Sequence, residues 1–298
     1  MEAWLKTSKV FNYADDTTTD NKSKSAAEIK TRLEEDTNNV LRFMASNGLV
    51  ANKLKTEFLV LNHKPDHAEQ LETISVGGAT VSRTSHTKLL GVIIEESQEW
   101  SQHLKSLQSS LNSRLFIIRR IKHQIPENKL IQIVHSLWIS KLRYGLQLCI
   151  KVRLTNEDPI TADLKALQAT QNRLLRMINN NRIRDMISSR SILEKFNLLS
   201  VNQIAASIKL VEVWKSINHD GYPISFEPYN HNLLTHNRNL RPQANRLLKD
   251  NCKLKRNEAS FSIDAARLWN AAPKEITEAT SIEIAKTAIR RFCKNLPT

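Results

Sequence analysis

Apolar positions follow two rhythms along this chain, with the change near Ser97. Before it, short apolar runs alternate with polar stretches. Residues 9–14 (KVFNYA) predict a strand, and the following DDTTTDNKSKS reads as polar turn material. From Ser25 to Asn47, Ile29, Leu33, Val40 and Met44 recur near the helical period, and Gly48 suits the left-handed residue after a helix. EFLVLN (57–62) predicts a strand covered on both faces. TISV and ATVSR flank Gly77-Gly78 as a hairpin, and KLLGVIIE (88–95) predicts a further strand.

Beyond Ser97 the period is helical. Trp100, Leu104, Leu107, Leu111, Leu115 and Ile118 form one stripe of a helix ending near His123. A second helix, from Pro126 to about Ile150, is apolar nearly all round, which places it centrally. Leu164, Leu167, Leu174, Leu175 and Ile178 mark a third, with shorter helices at about 188–198 and 201–218. Trp138, Trp214 and Trp269 fall on apolar faces and read as core. Residues 219–258 have no sustained period and read as an extended basic connection. A helical pair, about 261–271 and 281–296, closes the chain around Ala272-Pro273. The expected class is α+β: a small antiparallel sheet with one helix (1–96), a mostly helical region (97–218), the connection (219–258) and a C-terminal helical segment (259–298).

Charge sharpens this division. Residues 1–95 hold 12 Lys+Arg and 13 Asp+Glu, whereas 96–298 hold 32 and 17, so the whole excess of the +14 chain lies in the helical part. A localised excess is a footprint for a polyanion, although a solvated basic surface gives the same count. Six glycines in 298 residues argue for helix over a turn-rich β fold. Cys149, Cys252 and Cys293 are widely spaced and odd in number, which points to a reducing, intracellular setting, nuclear or cytoplasmic. MEAWLKTSKV lacks the apolar run of a secretory leader, and charged residues interrupt the most apolar stretch, so no membrane span is expected. His63 and His67 have HxxxH spacing, but Pro65 between them breaks the shared helix face a metal pair needs.

Chemistry is concentrated in Val10-Phe11-Asn12-Tyr13-Ala14-Asp15-Asp16-Thr17, where an apolar strand runs into two adjacent carboxylates and a turn. Hard divalent cations take carboxylate oxygens together with substrate phosphates. A turn lets neighbouring carboxylates project from one sheet edge, where a strand would send them to opposite faces. A solvated Asp-Asp-Thr turn is the ordinary alternative.

Tyr13-Ala14-Asp15-Asp16 resembles the signature hairpin of reverse transcriptases, the third catalytic motif of the polymerase palm. Its sequel extends the likeness. LKTEFLVLN (54–62) resembles the family's next motif, and KLLGVIIEESQEWSQHL (88–104) resembles the primer-grip hairpin and the start of the thumb in jockey-like, non-LTR retrotransposon enzymes. DLKALQATQNRLLRMI (163–178) and SFSIDAARLWNAAPKEI (260–276) are similar to the C-terminal region of the same polyproteins. The resemblance implies a partial palm, a thumb-like region and C-terminal helices of an RNA-directed DNA polymerase. It implies Asp15 and Asp16 as catalytic ligands of Mg²⁺ or Mn²⁺, Lys55 as proton donor to the leaving pyrophosphate, and Tyr13, Leu90 and Gly91 near the primer and nucleotide. The reaction would be in-line attack of a primer 3′-hydroxyl on a nucleotide α-phosphate between two metals, with an RNA template and DNA primer as partners.

The family also uses an aspartate from an earlier strand and nucleotide-binding fingers. Fourteen residues precede Asp15, with Glu2 their sole acid, and fully extended they reach roughly 45–50 Å. The expectation is that this chain alone does not polymerise DNA, taking a dNTP only if the absent palm and fingers are supplied. Its sheet would also present an open edge and uncovered apolar surface. Arg114, Arg119, Arg120 and Lys122, then Arg173, Arg176, Arg182 and Arg184, are the candidate phosphate contacts. Several also sit where positive charge simply complements a helix C-terminus. A non-catalytic remnant that binds RNA or DNA fits the same residues.

Overall fold

The structure, a computed structural model, describes residues 4–61, 71–180, 187–226, 246–247 and 260–298. His63, His67, Arg182, Arg184 and most of the 219–258 connection lie outside them. The described chain is mixed α and β, mostly helical, and folds as two compact units, Met1–Trp100 and Ser101–Thr298.

In the first unit β1 (Lys9–Tyr13) pairs antiparallel with β2 (Asp16–Asp20). The stretch expected to be turn is therefore a strand. Its threonines are β-branched and fit a pleated surface, which outweighs their polarity. Ser25 caps α1 (Ala26–Ser46) through the Glu28 amide, and Gly48 follows it at φ 72°. A single 3₁₀ turn (Lys53–Lys55) leads into β3 (Phe58–Leu59), shorter than expected. β4 (Thr73–Val76) and β5 (Ala79–Thr84) form the expected hairpin, with Gly77 and Gly78 both at positive φ as a type I′ turn requires. β3 adds parallel to β5, giving the order β3-β5-β4. Alternation sends Ile74, Val76 and Val81 to one face, where Phe58, Val60, Leu71 and the Ala26–Leu33 face of α1 complete a small core. Polar bonds fix α1 there: the Ser75 amide donates to Glu34 at 2.8 Å and the Gly77 amide to Asn38 at 2.7 Å.

The run 88–95 is not one strand. β6 (His86–Leu89) and β7 (Val92–Glu95) pair around Leu90 and Gly91, at φ 47° and 84°. Among the described residues, three separate small sheets thus replace the single antiparallel sheet expected, and one of them contains a parallel pair. Phe11, Tyr13, Leu49, Val50, Leu54 and Leu61 are exposed in this unit, Val50 at 95% and Leu54 at 98%.

The second unit begins with α2 (Ser101–Ile121), whose stripe of Leu104, Leu107, Leu111 and Ile118 is buried. The helix expected from Pro126 to Ile150 is broken. α3 (Glu127–Ile133) continues through a π-helical stretch (Val134–Ile139) into α4 (Ser140–Arg143). Tyr144 is extended and Gly145 left-handed at φ 74°, so the chain turns before α5 (Leu146–Cys149). Nor is this helix the most central. α6 (Ala162–Ile178) and α7 (Ser189–Lys195) lead to α8 (Val201–Asn218), which is buried at every residue from Val201 to Leu210. The Ser200–Gln203 capping box starts α8, and α9 (Phe261–Asn270), α10 (Lys274–Thr277) and α11 (Ile282–Lys294) complete the unit, with α9 and α11 against α8. Trp138, Trp214 and Trp269 are core residues, 0%, 3% and 1% exposed. Of the basic connection, Leu247 is described and exchanges backbone bonds with the Asn270 side chain. Among the described residues no helix is long and apolar enough to cross a membrane.

Candidate acidic hairpin and basic helix ends

Register decides where the carboxylates go. Tyr13 pairs with Asp16, so Ala14 and Asp15 are the two turn residues and Asp16 opens β2. Ala14 sits at φ 53°, a conformation that costs an alanine roughly 1 kcal/mol or more. Asp15 and Asp16 are exposed, as is Tyr13. On the opposite face Thr17 Oγ1 donates to Asn12 Oδ1 at 3.0 Å, tying the strands together.

A residue that pattern reading missed holds the hairpin's root. Asp36, on α1 and 1% exposed, accepts from the amides of Lys6, Thr7 and Ser8 at 2.8, 3.1 and 2.7 Å and from Thr7 Oγ1 at 2.8 Å. Burial pushes this carboxyl up, but the Lys6, Ser8 and Thr7 donors overcome it and hold its pKa at about 2. Asn21, just past β2, donates to Thr7 Oγ1 and Ser8 Oγ at 3.1 Å each, so both ends of the hairpin meet at this knot.

The donor type at the tip, carboxylate oxygen in solvent, fits a hard divalent cation. The number falls short of a two-metal centre: among the described residues no group of three or more His, Cys, Asp or Glu side chains could hold a metal ion. We therefore derive no nucleotidyl-transfer step from this arrangement. Lys55 ends the 3₁₀ turn, exposed, its amide bonded to Asn52 O at 3.1 Å. Leu90 and Gly91 form the β6–β7 turn. Among the described residues no hydrogen bond or ion pair joins Asp15 or Asp16 to Lys55.

The basic candidates are drawn together by packing. Gln108 Nε2 reaches Ala166 O and Thr170 Oγ1 at 3.5 and 3.3 Å, while Lys122 Nζ reaches Met177 O and Asn180 Oδ1 at 3.1 and 2.9 Å. α2 and α6 thus run parallel, and their C-terminal ends coincide. Arg119, Arg120 and Arg176 lie in the last turns of these helices and Arg173 a turn earlier, all exposed. Their roles differ. Lys122 is engaged in capping α6, and Arg114 is folded back onto Ser110 of its own helix. Arg173 donates to Thr170 Oγ1 at 3.1 Å, and Arg120 lies 5.9 Å from the exposed Phe116 ring. Arg119 and Arg176 make no hydrogen bond or ion pair among the described residues. Two parallel helix C-termini place partial negative charge at this end, which the arginines offset before any ligand is considered.

Pattern reading also missed the polar core of the second unit. Lys209 Nζ and the Asp264 carboxylate are both fully buried and 2.6 Å apart, with Lys209 also donating to Ile150 O at 2.8 Å. Asp264 further accepts from the Val152 amide at 2.8 Å and from Arg267 Nη2 at 2.8 Å. Burial pulls the Lys209 ammonium below its ordinary range, with Asp264 opposing. The cluster clamps residues 150–153 between α8 and α9 and is a structural device. Cys149 and Cys293 are thiols, Cys149 Sγ donating to Gly145 O at 3.4 Å, and burial pushes the Cys293 thiol up to about 12. Comparison with protein families, with curated proteins and with solved structures finds no match for the chain.

Proposed function

We propose that the chain is part of the RNA-directed DNA polymerase of a non-LTR retrotransposon, contributing an acidic palm hairpin and a basic, helical thumb-like region. The observation that carries the reading is the Tyr13-Ala14-Asp15-Asp16 sequence lying across the turn of a two-stranded hairpin with both carboxylates exposed. A polymerase needs these carboxylates at a sheet tip, open to Mg²⁺ or Mn²⁺ and to phosphates. The parallel ends of α2 and α6 support the same reading, because residues 101–298 carry 32 Lys+Arg against 15 Asp+Glu and part of that excess converges on one place. Template and primer would be held there mainly through phosphate.

On this proposal the chain by itself binds primer-template without extending it, since a third metal ligand is wanting among the described residues. The same observation favours, as second reading, a remnant that binds RNA or DNA without chemistry. One pair of assays tests the proposal. An RNA/DNA hybrid should bind with log K falling steeply with log salt. Arg119→Gln with Arg176→Gln should flatten that slope by about 1–2. Primer extension on poly(rA)/oligo(dT) with Mg²⁺ or Mn²⁺ should give no product. Binding that ignores salt removes the nucleic-acid reading, and template-dependent product from this chain overturns the inactivity.

A further inference from the structure

The π-helical stretch Val134–Ile139 interrupts the ladder of α3 just before Arg143. Hydroxyls take up part of the slack: Ser136 Oγ donates to Ile133 O at 3.2 Å, and Ser140 Oγ donates to Ser136 O. π-turns of this kind concentrate at functional sites. Here the widened turn forms one wall of a cavity of about 280 Å³, with the start of α8 and α11 as the others. Ile139, Leu198 and Ile204 supply an apolar floor, and His135, Arg143 and Arg290 supply the polar groups. Among the described residues no carboxylate lines it.

Two guanidinium groups and an imidazole line this one cavity, His135 and Arg143 exposed at its rim and Arg290 half-buried, so their like charges are held near each other. Arg290 is fixed by donating to Asn197 O. The Arg143 and His135 side chains make no hydrogen bond or ion pair among the described residues. Burial, then the Arg290 and Arg143 charges, pull the His135 imidazole below its ordinary range, and burial with Arg290 acts the same way on Arg143. Surface arginines without partners are common. Two converging from different helices onto an apolar-floored cavity are a different arrangement, because each raises the cost of the other until an anion enters.

We propose that this cavity is a phosphate-binding site, with Arg143 and Arg290 as the charged clamp and His135 as a further donor. Guanidinium forks match phosphate oxygens bidentately, and donors arriving from α3–α4 and from α11 suit a tetrahedral anion better than a planar one. The apolar floor accepts the organic part of a phosphate ester. At 280 Å³ the space sits at the lower edge of small-molecule pockets, enough for the phosphate and its first carbons. The site shares no residue with the α2–α6 basic end and stands independently of the polymerase reading.

The test is calorimetric titration of the full chain with inorganic phosphate, adenosine monophosphate and a short oligothymidylate. Saturable binding of the first two is expected. Competition by the oligonucleotide identifies a diester backbone as the source, and its failure to compete identifies a monoester. Arg143→Gln should weaken binding at least about tenfold, and Arg143→Lys should weaken it less, because the lysine keeps charge but not the fork. The variant Lys165→Gln, at an exposed lysine assigned to neither site, should leave phosphate affinity unchanged. The His135 ring resonances of the unsubstituted protein should shift on saturation, a readout that survives poor folding of any variant. Unchanged affinity in Arg143→Gln, equal loss in Lys165→Gln, an unmoved His135 signal, or no saturable binding by any probe overturns the proposal.

Discussion

Asp36→Asn is expected to loosen the acidic hairpin, and by an amount that depends on pH. The carboxylate has four donors within 3.1 Å and almost no contact with solvent. Its pKa is about 2 in the fold against an ordinary 3.8. That gap corresponds to about 2.4 kcal/mol of stability at neutral pH. Between the two values the unfolded chain holds the proton that the folded chain has released. The contribution is therefore complete above about pH 5, roughly half gone at pH 3 and almost absent near pH 2. The variant should lose about 2 kcal/mol at pH 7 and much less at about pH 2.5. Urea titrations read at the amides of Val10 and Thr19 measure this where it acts. An equal deficit at both pH values would show that shape, rather than charge, carries the interaction. No deficit at pH 7 would remove Asp36 as the anchor.

Asp264→Asn leaves the buried Lys209 ammonium without a counter-charge and should cost roughly 3–5 kcal/mol, whereas Lys209→Met/Asp264→Leu should recover only part of it, because the Val152 amide then lacks its acceptor. Tryptophan fluorescence during urea unfolding reads both, and a single-variant loss below about 1 kcal/mol contradicts the clamp. Ala14→Gly should stabilise the hairpin by roughly 1 kcal/mol, since φ 53° costs glycine nothing, and slower hydrogen exchange at Phe11 and Thr18 would register it. Iodoacetamide at neutral pH should spare Cys293 in the native protein and modify it only after unfolding, because the buried thiol stays protonated. Rapid native labelling there would mean that α11 opens locally.

Local signals were legible in the sequence where the chain signs its own ends. Ser25 and Gly48 bracket α1, because capping is settled within one turn. The β4–β5 hairpin followed from its glycine pair. β2 was obscured because exposed threonines look like loop, and the β6–β7 turn because Leu90-Gly91 lacks the usual Asn or Asp. The break at Gly145 hid inside an apolar run. Which helix becomes central was not local information: α8 owes its burial to α9 and α11, which lie some fifty residues and more downstream. The site divides the same way. Asp15 and Asp16 announce themselves by their tetrapeptide. Asp36 looks like a polar residue on a solvated helix face until residues 6–8 fold over it, and Lys209 meets Asp264 across 55 positions. Arg119 and Arg176 were readable as basic, but their convergence depends on the parallel packing of α2 and α6.

On the proposed function, the tip of the β1–β2 hairpin would be one arm of a divalent-cation site. Titrating the isotopically labelled chain with Mn²⁺ and following paramagnetic broadening tests it directly. Broadening should begin at residues 14–17 and disappear in Asp15→Asn/Asp16→Asn while the rest of the spectrum is unchanged. Broadening that begins elsewhere, or that persists at the tip in the double variant, contradicts it.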